Sequence, residues 1–379
     1  MLSLLLLHNL YNALPFAASM RFEPPVVIGH HYFWANGMMG FGDGAAIGQA
    51  EGNTFYTTKD SGRSWSPISL KTPQGGSVAP ETEATVLSAD GKTLHTVSNV
   101  APAASNGSTS FHGSTSCFFK HANGTFTTEV KDTPITFRGL PKAANNFRTD
   151  GRGYVKLANG SLIMSVILDW GIVAYRSSDG GFSWDYTGTI LDATAAPDSE
   201  EGPNENDLAL LSDGSIICII RLDAGDGRKV LPPDMKAHHM LPYVKTVSRD
   251  GGKTWSKPTS LVDTRGLMMG CARPRLLGLS GGGVLLSGGR LNHTNHENYL
   301  WVNALGDGQA WEAISISYIH DALEPDSSLH FGTSVNNSGA RISTSYTSLV
   351  ATGPRSGYVV YSRLLPSPSV AFALRFMLH

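Results

Sequence analysis

Short apolar runs, each ended by a turn-forming residue, recur along most of the chain. Clear examples are Val26–Ile28, Thr54–Thr58, Ala84–Leu87 and Leu162–Ile167, which are bounded by Gly, Asn, Asp or Pro. Runs of this length and spacing predict β-strands joined by tight turns. No stretch keeps a helical periodicity over about three turns. The sequence therefore predicts an all-β protein.

One pattern, Ser/Thr-x-Asp-x-Gly-x-x-Trp, repeats along the chain. It occurs at Thr58–Trp65, Ser177–Trp184 and Ser248–Trp255, and Ala304–Trp311 is a degenerate copy that lacks the hydroxyl residue. The spacing of these four segments fits one missed copy followed by single steps of roughly 60 residues. About six such units then fill the chain, each with strands enough for one four-stranded blade. We therefore expect one domain, a six-bladed β-propeller over residues 20–379.

Each residue type in the repeated pattern suits a turn. An aspartate next to a hydroxyl residue can accept hydrogen bonds from nearby backbone N–H groups, and glycine allows a positive φ. A tryptophan three residues further on can anchor the hairpin in the core. We expect these motifs to support turns rather than to act on a substrate.

Composition narrows the range of partners. The formal net charge is −2, and 16% of the residues are charged. Lys and Arg are scattered without a basic run, so neither nucleic acid nor an acidic membrane is an expected partner. The three cysteines, Cys117, Cys218 and Cys271, lack the spacing of a zinc site, and we expect no metal. Cys218 lies in an apolar run and is expected to pack as a small hydrophobic residue.

The first residues indicate export. Residues 1–19 hold a leucine-rich segment too short to span a bilayer, followed by small residues at Ala17 and Ser19 that suit signal-peptidase cleavage. Asn-x-Ser/Thr sequons, which are acceptors for N-glycosylation, lie mostly in turn-like surroundings. They are found at Asn106, Asn123, Asn159, Asn292 and Asn336. The sequence thus predicts a signal peptide and a secreted or lumenal glycoprotein.

The most informative segment is the predicted hairpin that runs from Glu201 to Arg221. Its strands, Leu208–Leu211 and Ile216–Ile220, are joined by an Asp-Gly turn. Because strands joined so closely are antiparallel, the residues before the first and after the second emerge at one edge. Glu205 and Arg221 are therefore expected to face the same rim.

These motifs together resemble the sialidase (neuraminidase) superfamily of six-bladed propellers. The repeated pattern is the Asp-box of that family, and the Glu205–Arg221 hairpin is similar to the segment that carries a glutamate and one arginine of a carboxylate-binding triad. The segment Ser345–Leu349 resembles a late Tyr-Ser-x-Leu strand whose tyrosine is the nucleophile. The resemblance covers most of the chain from about residue 22.

The resemblance implies a defined chemistry. A sialic acid carries a carboxylate on its anomeric carbon, which arginines can bind through paired charge-assisted hydrogen bonds. A neutral tyrosine avoids the repulsion that a carboxylate nucleophile would meet there, if a neighbouring glutamate takes its proton. By this likeness Tyr346 is the nucleophile, Glu205 its base and Arg221 a substrate-binding arginine. Glu201 is the alternative base.

The remaining family positions match less closely. The family's early Phe-Arg-Ile-Pro segment has no counterpart, and Arg21 in Arg21-Phe-Glu-Pro is the nearest substitute for the first arginine. Asp43 in Gly-Phe-Gly-Asp43-Gly is the corresponding choice for the acid that protonates the leaving oxygen. Arg290 is the expected third arginine. Other candidates for the arginine positions are Arg273, Arg275 and Arg148.

The leading hypothesis is a retaining exo-α-sialidase that needs neither a metal nor an organic cofactor. Its substrate would be a glycan or glycoconjugate that ends in sialic acid or a related nonulosonic acid. Two alternatives remain open. One is a catalytically silent propeller that binds an acidic glycan or a protein partner, and the other is a trans-sialidase that uses the same residues.

Overall fold

A computed structural model provides the coordinates of the chain. It describes residues 20–30, 38–49, 54–70, 85–103, 108–149, 154–197, 199, 202–222, 241–270, 272–289, 298–332, 343, 346–364 and 369–379. Glu201, Cys271 and Arg290 lie outside these ranges, as do residues 1–19 and the sequons at Asn106, Asn292 and Asn336.

Within the described ranges, three sheets each contain four antiparallel strands that follow one another in the chain. Their strands are β3 (Met38–Gly40), β4 (Ala46–Gln49), β5 (Thr54–Thr58) and β6 (Ser66–Ser69); β16 (Pro203–Leu210), β17 (Ile216–Leu222), β18 (Val244–Ser248) and β19 (Thr259–Ser260); and β20 (Arg275–Gly278), β21 (Val284–Gly289), β22 (Asn298–Asn303) and β23 (Glu312–Ser315).

A larger sheet joins two further sets of strands side by side. The first set is β7 (Thr85–Leu87), β8 (Thr93–Pro102), β9 (Phe111–Lys120) and β10 (Phe126–Arg138), and the second is β11 (Phe147–Arg148), β12 (Tyr154–Lys156), β13 (Leu162–Leu168), β14 (Gly171–Ser177) and β15 (Ser183–Asp192). The two sets meet through a parallel pairing of β10 with β15.

The last sheet combines the two ends of the described chain. β24 (Ser348–Gly353), β25 (Ser356–Arg363) and β26 (Val370–Leu378) are followed at the sheet's outer edge by β1 (Met20–Phe22) and β2 (Val26–Gly29), which both pair with β26. One α-helix of the described chain, α1 (Ile316–Leu323), connects β23 to the segment before β24. The sequence analysis did not predict this helix. The described residues include no helix with the length and apolar character that a membrane span requires.

The first strands of the successive sets surround one central cavity, with β12 in this place in its set, where it and the two-residue β11 both pair with β13. Its lining includes residues of β3, β7, β12, β16, β20 and β24. β24 packs directly against β3, since a Cβ added at Gly40 would lie 2.9 Å from Cγ1 of Val350. The last set therefore neighbours the first, and buried apolar clusters fill the spaces between sets. The described chain is therefore nearly all β, as predicted, apart from the helix α1.

The repeated motifs form turns with a common set of hydrogen bonds. In the second copy, Oδ1 of Asp179 accepts from the backbone N–H of Ser183 at 3.0 Å, and the Ser177 hydroxyl accepts from the N–H of Gly181 at 2.9 Å. The indole of Trp184 donates to the carbonyl of Gly181 at 2.8 Å. Gly181 has a φ of 103°, a conformation that glycine adopts without strain. The bonds of the first and third copies match, so the expected turn-supporting role is confirmed.

The degenerate copy keeps its turn because an asparagine takes the place of the missing hydroxyl residue. Gly308 donates its N–H to Oδ1 of Asn303 at 3.0 Å, so the asparagine replaces the missing hydroxyl. Nδ2 of Asn303 also donates to Asp307 at 2.9 Å. The interval between the first two copies contains the turn from β9 to β10, where Asn123 accepts from the N–H of Thr125. This turn stands where the sequence led us to expect a missed copy.

We expect Asp179→Ala to lower the free energy of unfolding by about 1–3 kcal/mol, because it leaves backbone N–H groups of the turn without their acceptor. Thermal denaturation measures this loss. Asp185→Ala is the matched control, since its carboxylate makes an exposed ion pair with Arg138 and accepts no turn N–H within the described residues. Equal melting temperatures for the two variants would contradict a structural role for the motif.

His320 of α1 is enclosed between the helix and the last sheet. Its Nδ1 lies 2.8 Å from the Tyr361 hydroxyl and its Nε2 3.1 Å from the carbonyl of Leu329. A neutral ring that carries its proton on Nε2 satisfies both contacts. Burial lowers the pKa of His320 from 6.5 to about 4, although the contact with Leu329 opposes the shift.

This buried histidine predicts a pH-dependent stability. Between pH 6.5 and 4 the unfolded chain binds a proton that the folded protein does not, so the free energy of unfolding should fall as the pH is lowered. The slope reaches up to about 1.4 kcal/mol per pH unit for one proton. Denaturant titrations at several pH values should show a flatter slope for His320→Gln. A slope in His320→Gln equal to that of wild type would contradict the prediction.

Candidate active site

The β16–β17 hairpin brings Glu205 and Arg221 together. β16 begins at Pro203, earlier than the predicted strand, so Glu205 is part of the strand. The pairing of the two strands shifts register between Pro203 and Asn206, which is a β-bulge. Glu205 is 6% exposed. Nη1 of Arg221 donates to its Oε2 at 2.7 Å, so the expected common rim is present.

Tyr346 reaches the same carboxylate from the last sheet. It stands two residues before β24, and its hydroxyl donates to Oε1 of Glu205 at 3.0 Å. This contact joins residues that are 141 positions apart in the sequence. The structure therefore brings Tyr346, Glu205 and Arg221 into one group, as their sequence motifs led us to expect.

Arg273 completes the group. It stands two residues before β20, and its Nε donates to Oε1 of Glu205 at 3.3 Å. Its guanidinium carbon lies 5.9 Å from the centre of the Tyr346 ring, within the range of a cation–π contact. The sequence analysis considered Arg273 only as an alternative to Arg290. Its position two residues before a first strand, which it shares with Tyr346, is the signal that could have identified it.

The backbone next to Arg273 has an unusual conformation. Ala272 has a φ of 59°, one of two non-glycine residues with a positive φ among the described residues. This region costs a non-glycine residue on the order of 1–3 kcal/mol and persists only where its surroundings enforce it. Such outliers concentrate at functional sites, and this one adjoins a residue that contacts both Glu205 and Tyr346.

The two arginines set the charge state of the glutamate. Burial alone would raise the pKa of Glu205, but the charges of Arg273 and Arg221 and the hydrogen bonds from Arg221 and Tyr346 outweigh it, so that this pKa lies below its ordinary value. Glu205 is thus a carboxylate at neutral pH. Burial, and then the charge of Glu205, raise the pKa of Tyr346 to about 12. The pair is a neutral hydroxyl that donates to an ionised acceptor, as a tyrosine nucleophile with a glutamate base requires.

The structure does not bring Asp43 to this group. Asp43 follows β3 in the turn to β4, where its Oδ1 accepts from the N–H of Ala45 at 3.1 Å and its other oxygen pairs with Lys120. Asn159 and Asp213 make the same contact in the turns that follow β12 and β16. Asp43 is therefore a turn residue where a first strand ends, whereas Tyr346 and Arg273 precede the first strands of their sheets.

Arg21 is also away from the group. It lies on β1 opposite Met377 and is exposed at the outer edge of the last sheet, with β26 and β25 between it and β24. Arg290 and Glu201 fall outside the described residues. Of the other candidates, Arg275 is buried and lines the central cavity, and Arg148 donates to the side chain of Asn204 at 3.0 Å, beside Glu205 in the sequence.

The described residues contain no group of three or more His, Cys, Asp or Glu side chains placed to hold a metal ion. Cys218 is fully buried in an apolar cluster, which confirms its expected packing role.

Comparisons with known proteins show relatives only at the level of structure. No protein-family model and no curated protein sequence matches the chain. A protein of unknown function from Dyadobacter fermentans has a TM-score of 0.58 and 15% identity over 97% of this chain and 100% of its own. The GH93 α-L-arabinofuranosidase of Fusarium graminearum, solved with arabinobiose, has a TM-score of 0.54 and 13% identity over 93% of this chain and 97% of its own.

A Hadza microbial sialidase has a TM-score of 0.53 and 12% identity over 94% of this chain and 65% of its own length. The chain thus spans about two thirds of that sialidase. At such identities the likeness concerns the fold alone. The chain has the nearly all-β, propeller-like fold that these glycosidases share.

Proposed function

We propose that this protein is a retaining exo-α-sialidase built on a six-bladed Asp-box propeller. The observation that carries the proposal is the hydrogen bond from the Tyr346 hydroxyl to a buried carboxylate that two arginines also contact. The six sets of strands around one cavity and the recurring turn motifs support the blade count and the family assignment.

The charge of the group favours an acidic sugar. Arg221 and Arg273 carry two positive charges against the single negative charge of Glu205, which leaves an excess of one positive charge. A guanidinium presents its N–H donors in a planar fork that matches the two oxygens of a carboxylate. Both arginines can therefore also bind a substrate carboxylate, and Arg290 is proposed as a third ligand. A neutral pentose, such as the sugar in the arabinobiose complex of the similar Fusarium enzyme, offers no charge to balance them.

The proposed reaction uses the tyrosine and glutamate as one unit. The Tyr346 oxygen attacks the anomeric carbon, the glycosidic C–O bond breaks, and Glu205 takes the phenolic proton. Water then attacks the anomeric carbon and gives its proton to the conjugate base of the acid that protonated the leaving oxygen, while the Tyr346 oxygen departs and takes its proton back from Glu205. Two inversions give net retention. The leaving oxygen needs a proton from an acid other than Asp43, which lies at the far end of the first strand β3 from this group.

The cellular setting is proposed from the sequence. A signal peptide over residues 1–19 would deliver the chain to a secreted or lumenal site where sialylated glycoconjugates occur. Two sequons, at Asn123 and Asn159, lie in exposed turns of the described chain, where a glycan could be attached. The partner expected there is a glycan substrate.

Substrate panels test the function. We expect purified protein to release free sialic acid or a related nonulosonic acid from fluorogenic sialosides between pH 4 and 8, and to leave arabino-oligosaccharides intact. Release of arabinose would replace the proposal with a neutral-sugar hydrolase. Sialoside binding without release would favour the silent propeller, and transfer to an added glycan acceptor would identify a trans-sialidase.

A double-mutant cycle tests the Tyr346–Glu205 pair. Tyr346→Phe keeps the ring but removes the attacking oxygen, and Glu205→Gln removes the base. We expect each single variant to lower kcat by about three or more powers of ten, because the two groups act in one step. The double variant should then be little worse than either single one. Additive losses, or near-wild-type turnover by Tyr346→Phe, would contradict the assigned roles.

A further inference from the structure

The residue before Arg273 has a backbone conformation that bears on where the Arg273 side chain points. Ala272, the residue immediately before Arg273, has a φ of 59°, which lies in the left-handed region. A residue that adopts an extended conformation at this point would send the following side chain elsewhere. A contact that holds Ala272 in this conformation would therefore help to direct the guanidinium of Arg273.

Tyr243, the residue immediately before β18 of the preceding sheet, makes such a contact. Its side chain is fully buried, and its hydroxyl donates to the carbonyl of Ala272 at 3.0 Å. Its backbone N–H donates to the carbonyl of Met269 at 2.7 Å, so Tyr243 holds the segment at two points. The ring packs edge-on against Trp301 with 6.4 Å between centres, which fixes its direction.

A glycine makes room for this hydroxyl. A Cβ added at Gly288 of β21 would lie 2.5 Å from the Tyr243 oxygen and 3.6 Å from the carbonyl oxygen of Arg273. The φ of Gly288 is not positive, so backbone conformation does not require glycine there. The close approach of the Tyr243 hydroxyl does require it.

We propose that Tyr243 is a positioning residue for the candidate active site, which holds Ala272 in its left-handed conformation and so directs Arg273 at Glu205 and the Tyr346 ring. The effect expected on catalysis rests on the proposed function. The contacts that position Arg273 do not depend on the identity of the substrate. Arg273 is the charge with the largest lowering effect on the pKa of Glu205. Loss of its position should therefore be visible in that carboxyl group.

The test compares wild type with Tyr243→Phe, which keeps the buried ring and removes the hydroxyl. Infrared difference spectroscopy follows the titration of the Glu205 carboxyl group, with Glu205→Gln to identify its band. We expect the carboxyl group to titrate at a higher pH in Tyr243→Phe. On a fluorogenic sialoside, kcat/KM should fall by about 10- to 100-fold, the range for a misplaced catalytic contact.

Gly288→Ala is the second variant. Its methyl group displaces the Tyr243 hydroxyl while it leaves the tyrosine itself in place, so we expect the same upward shift of the Glu205 titration. The control is Tyr175→Phe, which removes a buried hydroxyl of β14 that has no hydrogen-bond partner within the described structure. This control should change neither the titration nor kcat/KM.

The outcomes separate the two hypotheses. An upward shift of the Glu205 titration in Tyr243→Phe or Gly288→Ala, absent from Tyr175→Phe, supports the positioning role. This holds even if wild type hydrolyses no sialoside, because that result would contradict only the proposed function. A Glu205 titration that both variants leave unchanged overturns the positioning role, whatever the protein's activity. A lower melting temperature with an unchanged titration likewise shows that Tyr243 serves stability alone.

Discussion

The buried carboxylate of Glu205 is the constraint on which the rest of the site depends. An ionised group removed from water costs several kcal/mol unless charges and hydrogen bonds replace its hydration. Here Arg221, Arg273 and the Tyr346 hydroxyl supply them. Removal of one partner would leave a charge uncompensated, so the four side chains hold one another in place.

The members of this cluster come from three different sheets, and the fold brings them together. Glu205 and Arg221 belong to one hairpin, whereas Arg273 and Tyr346 each stand just before the first strand of the next two sheets. First strands that surround one cavity bring their starting ends together, although the residues are far apart in the sequence. Polar contacts between sheets fix the relative positions, as with the 2.6 Å contact between the Ser287 and Thr347 hydroxyls beside Tyr346.

Features that depend on local sequence were predictable. The turn motifs bond within eight residues, and the Glu205–Arg221 pair follows from one short hairpin. Tyr346 was found through a family resemblance. Arg273 was not singled out, because its role depends on a left-handed residue before it and on a contact across sheets, neither of which leaves a local pattern. Asp43 and Arg21 were misplaced for a related reason. Each was chosen as the nearest local match to a family position, but the strands and turns that they occupy decide where they lie.

The central claim is that the Tyr346 oxygen forms a covalent bond to the sugar, and trapping this intermediate tests it directly. A 2,3-difluoro-sialic acid, with the leaving fluoride on the anomeric C2 and a second fluorine on C3, should react once with the protein. The C3 fluorine slows both steps, while the good leaving group keeps the first step fast enough for the intermediate to accumulate. Peptide mass spectrometry should then place the adduct on Tyr346, and Tyr346→Phe should acquire none. An adduct on Glu205 or on any other residue would contradict the account.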